Sequence, residues 1–357
     1  MVTIKTETLQ SMVNKAVRGA SNNKLIPLTS FMKLNFTPNV FSILTTDGMN
    51  YLEVSADVEC ADFTAVVSAD VFTKLVRRLS GDLVKLDITD KYLVVECNGT
   101  YKLELLLDED GKAVDFHMPV ENLAGKEKVG ELDRSTITRI IGSLKQSLLM
   151  VATQPHYCCY RVGDEVVATD SSIISILNKP VFETAHLVSS ECMNLLDAVV
   201  GDGASASVYQ FDGALVYDTN GAMLYAREPN GIENFNIGAI KGFADAEFAS
   251  KCTVSTKSFI EALDRIALFV GEYDAGAVTL TFDNDGVTVS SKSTSGVEQV
   301  TYDTVSLASE YECILDVTSA LSMLKAQSSD VVEFYFGGEQ TVKMVDGDLT
   351  TILALMF

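Results

Sequence analysis

Three histidines, seven cysteines and 49 acidic side chains are the groups with which this 357-residue chain could do chemistry. Their spacing builds no recognisable site. His117, His156 and His186 lie far apart, with no histidine or cysteine at metal-ligand spacing. Asp108-Glu109-Asp110-Gly111 looks like part of a calcium loop, but its glycine falls at the wrong offset and no glutamate closes a twelve-residue loop. It reads as a solvated hairpin or linker. Ser21-Asn22-Asn23-Lys24 fits an SxxK pattern without the companion motifs that give that pattern meaning. Asp57, Glu59 and Asp62 could form a carboxylate site, yet in so acidic a chain a charged strand-and-loop cluster is the simpler reading. P-loop, GxSxG and GxGxxG motifs are absent. The chain is therefore expected to be no enzyme and to need neither metal nor cofactor.

The remaining chemistry is that of its cations. Net charge is −22, which argues against polyanions until its distribution is considered. Apolar spacing predicts helices over 7–20, 70–79, 134–146, 191–200, 256–268 and 318–327. These hold eleven cations, including Lys74, Arg134, Lys257 and Arg265, against six anions. Helices thus carry +5, and everything else carries −27. A protein that offers polyanions one surface and repels them elsewhere would be charged in this way. No apolar run approaches the roughly 20 residues that span a bilayer, the N-terminus lacks the sections of a signal peptide, and the odd, scattered cysteines read as reduced thiols. A cytoplasmic protein without membrane contact is expected.

The elements that carry these cations recur at about 120 residues, a domain-sized period. First helices align as Ile4, Leu9, Met12, Val13; Leu132, Ile137, Ile140, Ile141; and Val254, Phe259, Ala262, Leu263. Hairpin signals recur at Asn98-Gly99, Asn220-Gly221 and Asp346-Gly347, where a two-residue turn would hold both positions at positive φ. Ser68 and Ser189 both open second helices. Each unit reads as helix, four strands, helix, then three or four strands, with 108–128 and 228–251 as polar linkers. The fold class is α+β: three tandem domains, 1–122, 123–245 and 246–357, each with two helices on one face of antiparallel sheet. Such units can join sheet to sheet through edge strands, which hides those edges.

Local strings then point to a family. Ala168-Thr169-Asp170 follows a strand and precedes Ser171-Ser172-Ile173-Ile174; Thr45-Thr46-Asp47 holds the equivalent place in unit one. Asn23-Lys24-Leu25-Ile26-Pro27-Leu28 follows the first helix, and Arg265-Ile266-Ala267-Leu268 ends the first helix of unit three. With the triplication and the length, the chain resembles the bacterial DNA sliding clamp, the beta subunit of the replicative polymerase. The resemblance spans the whole chain through order and spacing rather than any one motif, and its departures suggest a remote relative such as a phage would encode.

The resemblance implies a processivity factor: a head-to-tail homodimer of six domains, with twelve helices around double-stranded DNA. A tether that slides should make exchangeable phosphate contacts and read no bases. The implied contacts are Lys15, Arg18, Lys24, Arg77, Arg78, Arg139, Lys145 and Lys325. Ring closure would set Tyr101 and Leu103 against Leu268 and Phe269 of the partner, with Lys74 and Lys102 facing Glu298 or Asp303. Replicative polymerase and clamp loader would dock a short apolar peptide in a groove lined by Thr169, Ser171, Ser172, Ile174, Ile352, Leu355, Met356 and Phe357. Ile352-Leu353-Ala354 also reads as a buried last strand. The family's Gly-His-Arg after Thr-Asp is replaced by Ser171-Ser172-Ile173, and its Pro and Arg near the C-terminus are missing, so a different partner motif is expected. Two other classes stay open: an acidic viral structural or adhesion protein, which needs no basic helices, and a carboxylate-metal nuclease, which needs divalent metal.

Overall fold

The computed structural model describes every residue except 60, 272–274, 292–294 and 357. Its elements pass three times through one order: strand, helix, four strands, helix, three strands. The first pass is β1 (Val2–Lys5), α1 (Thr6–Ala16), β2 (Phe31–Thr37), β3 (Val40–Thr46), β4 (Asn50–Asp57), β5 (Phe63–Ser68), α2 (Ala69–Val76), β6 (Leu83–Ile88), β7 (Tyr92–Glu96) and β8 (Thr100–Glu104). The second is β9 (Glu127–Asp133), α3 (Arg134–Leu144), β10 (Cys159–Val162), β11 (Val166–Thr169), β12 (Ile173–Leu177), β13 (His186–Ser189), α4 (Ser190–Val199), β14 (Ser205–Phe211), β15 (Ala214–Thr219) and β16 (Ala222–Arg227). A connecting helix, α5 (Ile237–Ala244), leads to the third: β17 (Ser250–Ser255), α6 (Thr256–Ala267), β18 (Ala277–Phe282), β19 (Gly286–Ser291), β20 (Val297–Ser306), β21 (Tyr311–Asp316), α7 (Val317–Lys325), β22 (Val331–Phe336), β23 (Thr341–Asp346) and β24 (Leu349–Ala354).

Single hydrogen bonds repeat with the elements. The backbone N–H that opens each first helix donates to a carbonyl just beyond the second: Thr6 to Asp82 (3.0 Å), Arg134 to Ala204 (3.0 Å) and Thr256 to Asp330 (2.8 Å). Each bond satisfies one donor that a helix start leaves without an intrahelical partner. Side-chain caps do the same at Ser68, Asp133, Ser255 and Asp316, which accept from the N–H of Val71, Thr136, Ser258 and Ser319.

Contacts divide the chain into two compact units, Met1–Ile137 with Glu191–Glu228, and Thr138–Ser190 with Pro229–Phe357. The first unit holds a four-stranded sheet, β1-β6-β7-β8, and an eight-stranded sheet, β5-β2-β3-β4-β16-β15-β14-β9. Leu9, Met12 and Val13 of α1 and Phe72 and Val76 of α2 are fully buried, and the Gln10 amide donates to the carbonyls of Val76 and Leu79, joining the two helices. The second unit holds one twelve-stranded sheet, β13-β10-β11-β12-β24-β23-β22-β17-β20-β19-β18-β21. Phe259, Leu263 and Ile266 of α6 and Met323 and Leu324 of α7 join one core with Phe282, Phe334 and Phe336, whose rings 282 and 336 stack at 3.9 Å. Sheets fuse through antiparallel edges in both units, β4 with β16 and β12 with β24.

Some expectations are corrected. The segment 228–251 holds α5, which Gly238 and Gly242 disguise as linker. Helix α1 ends at Ala16 in a tighter turn, Val17–Gly19. Only the glycine is at positive φ in the Asn220-Gly221 and Asp346-Gly347 turns, and neither residue is at Asn98-Gly99; among the described residues the adjacent pairs with both positions positive are Asp212-Gly213 and Ala275-Gly276. The last turn centres on Gly347-Asp348, because Asp346 pairs with Leu349.

That shift gives Asp346 another task. Its carboxylate, nearly buried, accepts from the backbone and hydroxyl of both Ser328 and Ser329, closing the loop after α7. Burial pushes its pKa up, but these donors outweigh burial and hold it below 3.8. The stabilisation is therefore present above the unfolded pKa and is lost as pH falls through the lower folded value. Asp346→Asn should cost about 2 kcal/mol at pH 7, and chemical unfolding should show the gap to the parent closing below pH 3.8.

Candidate functional site

In the first unit, five of the expected phosphate contacts surround the helix pair and the loop that follows α1. Lys15 ends α1 and Arg18 follows it; Arg77 and Arg78 follow α2, where cations complement the helix dipole. The Arg77 Nε donates to Asn14 Oδ1 at 2.7 Å, which sets Arg77 at the seam of α1 and α2, and Arg78 donates to the Lys74 carbonyl of α2 itself. Lys24 is exposed in the loop beyond. In the second unit, Lys145 is exposed after α3, Arg139 pairs with Asp348 at 2.7 Å and Lys325 pairs with Asp264 at 3.1 Å. Arg139 and Lys325 are thus partly neutralised.

The second unit also carries an apolar groove of about 200 Å³ on the face of β12, β24 and β23, lined by Ser171, Ser172, Ile174, Phe243, Gln340, Thr341, Ile352, Ala354 and Leu355. Of the residues expected there, Ser171, Ser172, Ile174, Ile352 and Leu355 line it. Thr169 shapes its rim: its hydroxyl accepts from the Ser171 N–H at 3.1 Å, and Asp170 accepts from Ser172 and Ile173. Met356 is bound to the Ile314 carbonyl through its N–H, and Phe357 lies outside the described residues. Phe243, Gln340, Thr341 and Ala354 were not anticipated, because α5 and the β12–β24 pairing bring them in.

The same turn stands in the first unit, where Thr46 and Asp47 accept from Gly48, Met49 and Asn50. Gly48 has φ 98° there, and Ser171 in the equivalent place has φ 80°. A side chain at that angle is strained. Ser171→Gly should raise stability by about 0.5–1 kcal/mol, read as a higher melting temperature, since relief of strain exceeds the extra entropy of the unfolded glycine.

The face equivalent to the groove is covered in the first unit. Phe116, Met118 and Val120 of the segment after β8 pack there with Leu44, Val66, Val216, Tyr51 and Tyr225. In the second unit, the connecting segment with Phe235 and Ile240 packs on Cys159, Val167, Ile176 and Leu187 and leaves the groove beside it.

Strand edges follow a rule. The last strand of a pass pairs with the fourth strand of the pass before: β16 with β4, β24 with β12. That leaves, among the described residues, β8 paired only with β7, and residues 297–301 of β20 paired only with β19. Tyr101 on β8 is 36% exposed, whereas Leu103 is buried at 7%. Leu268 and Phe269, just after α6, are 82% and 49% exposed. Phe269 borders β20, for a Cβ on Gly296 would come within 2.8 Å of its ring. The polar contacts expected nearby are used within the chain: Glu298 takes a bidentate pair from Arg265, and Lys74 pairs with Asp70.

The DNA polymerase III beta subunit, N-terminal domain, matches residues 1–114. No curated protein sequence matches the chain. Among solved structures, the DNA polymerase sliding clamp of Bacillus subtilis is 16% identical with a TM-score of 0.87, covering 99% of this chain and 98% of its own. The DNA polymerase III beta chain of Streptococcus pneumoniae is 16% identical with a TM-score of 0.87 and full coverage of both chains. A Caulobacter crescentus beta sliding clamp, crystallised with polyethylene glycol in the region assigned to beta-motif tethering, is 18% identical with a TM-score of 0.85, covering 100% of this chain and 99% of its own. The fold is that of these clamps.

Proposed function

We propose that this chain, with the fold of the bacterial sliding clamps and an N-terminal third that matches the polymerase III beta subunit, is a DNA polymerase processivity factor. Two copies close head to tail around duplex DNA and tether the replicative polymerase. The observation that carries this reading is the pair of unsatisfied edges. If the pairing rule of β4–β16 and β12–β24 extends to a second copy, 297–301 of one chain meets β8 of the other. Two such contacts close a ring.

Within this reading, 1–122, 123–245 and 246–357 are the three clamp domains. Lys15, Arg18, Lys24, Arg77, Arg78, Arg139, Lys145 and Lys325 touch phosphates weakly, because topology retains the DNA and tight contacts would oppose sliding. Tyr101 meets Leu268 and Phe269 at the closure, with Leu103 beneath. The groove takes a short apolar peptide from polymerase and clamp loader, and Phe243, Thr341 and Gln340 complete its wall. The protein acts without catalysis, in the cytoplasm.

Solution mass and DNA retention test this together. The expected particle is twice 38.7 kDa, held on nicked circular DNA and lost when the circle is cut. A monomer, or equal retention on both forms, refutes it.

A further inference from the structure

The two sheet fusions share one plan and differ sharply at one place. In the first unit Tyr51 pairs with Tyr225, which pairs with Val216. In the second, Ile174 pairs with Ile352, which pairs with Lys343. Val216 and Lys343 therefore occupy the same site on the same face. Val216 is covered by the apolar segment that holds Phe116 and Met118. Lys343 cannot be covered in that way, since a cation needs partners when it leaves water.

Its partners lie at the end of α5. The Lys343 Nζ donates to the carbonyl of Ala244, the last residue of that helix, at 2.8 Å. The rings of Phe248 and Tyr335 lie 5.0 and 4.9 Å from the ammonium. A helix C-terminus leaves its last carbonyls without intrahelical donors and favours positive charge, and aromatic faces add to that attraction. Phe243, one residue before Ala244, lines the groove. Lys241 on the same helix reaches Glu165 at 3.0 Å, so α5 is held across the sheet from β11's side and from β23.

We propose that Lys343 is the positioning residue of the partner groove. By holding the last turn of α5 it fixes Phe243 as the groove wall, and it makes this fusion an open docking face where the first is closed. The proposal rests on the groove reading given above.

Lys343→Met keeps the stem and removes the ammonium; Lys343→Arg keeps a donor. In the full-length protein, amide exchange over 237–244 and binding to the immobilised cognate replicative polymerase are measured together. Losing one charge-assisted hydrogen bond should speed exchange there and weaken binding, each about tenfold, in Lys343→Met but not in Lys343→Arg. Lys343→Gln, polar but too short to reach Ala244, supplies the same comparison if Lys343→Met does not fold. Unchanged exchange overturns the proposal, as does faster exchange with undiminished binding. Leu355→Asp alters the groove without touching α5: if it binds the polymerase like the parent, the groove reading itself falls and this proposal falls with it.

Discussion

Replacing Leu268 and Phe269 by aspartate should lower the solution mass from twice 38.7 kDa to 38.7 kDa and abolish retention on circular DNA. Leu268 is largely exposed and Phe269 half exposed in the single chain, so the folded protomer keeps most of its stability. In the proposed ring each would be buried against β8 of the partner, where a Leu or Phe contributes about 1.5–3 kcal/mol. Two such losses, at each of two contacts, reduce dimer affinity by roughly 10² to 10⁴ per contact. Sedimentation would read the mass, and thermal melting would confirm intact protomers. A dimer of undiminished stability would place ring closure elsewhere. Leu103 is a poorer target, because it is buried within its own pass and its loss would confuse folding with assembly.

How much of this was legible beforehand differs by element. The six main helices follow from apolar spacing, since Leu9, Met12 and Val13 or Phe259, Ala262 and Leu263 repeat every three or four residues and are all buried. Helix α5 was missed although Asn236 caps it at Ala239, because two glycines in eight residues lower helix propensity and only Ile240 is buried. Ser171, Ser172, Ile174, Ile352 and Leu355 were legible as a groove only through family resemblance. Sequence separation between 174 and 352 gives no local cue, and their meeting depends on β12 pairing with β24. Gln340, Thr341 and Lys343 were invisible for the same reason. A lysine in an alternating strand reads as solvent-facing, and only the tertiary position of Ala244 gives it a task. Charge partners were equally hidden, for nothing near Arg139 in sequence announces Asp348.

Those pairs decide which cations to reverse. Glutamate at Arg139 would set two carboxylates together, and glutamate at Lys325 would do so beside Asp264, so either change mixes stability with DNA contact. Arg77, Arg78 and Lys145 are exposed, and among the described residues none has a carboxylate partner. The variant Arg77→Glu/Arg78→Glu/Lys145→Glu should melt within a few degrees of the parent. Each lost phosphate contact removes about 0.9 from the slope of log affinity against log salt, so the triple change, made in both copies of the ring, should lower that slope by up to about 5. Polymerase synthesis that depends on the clamp should fall by at least about tenfold near 0.1 M salt, where surface charges are screened over roughly 10 Å. Raising the salt should shrink the difference from the parent, because the parent then loses the same contacts. Synthesis and salt slope both equal to the parent's would free these helices of any part in holding DNA, leaving the acidic remainder of the chain without the cationic counterpart that the ring requires.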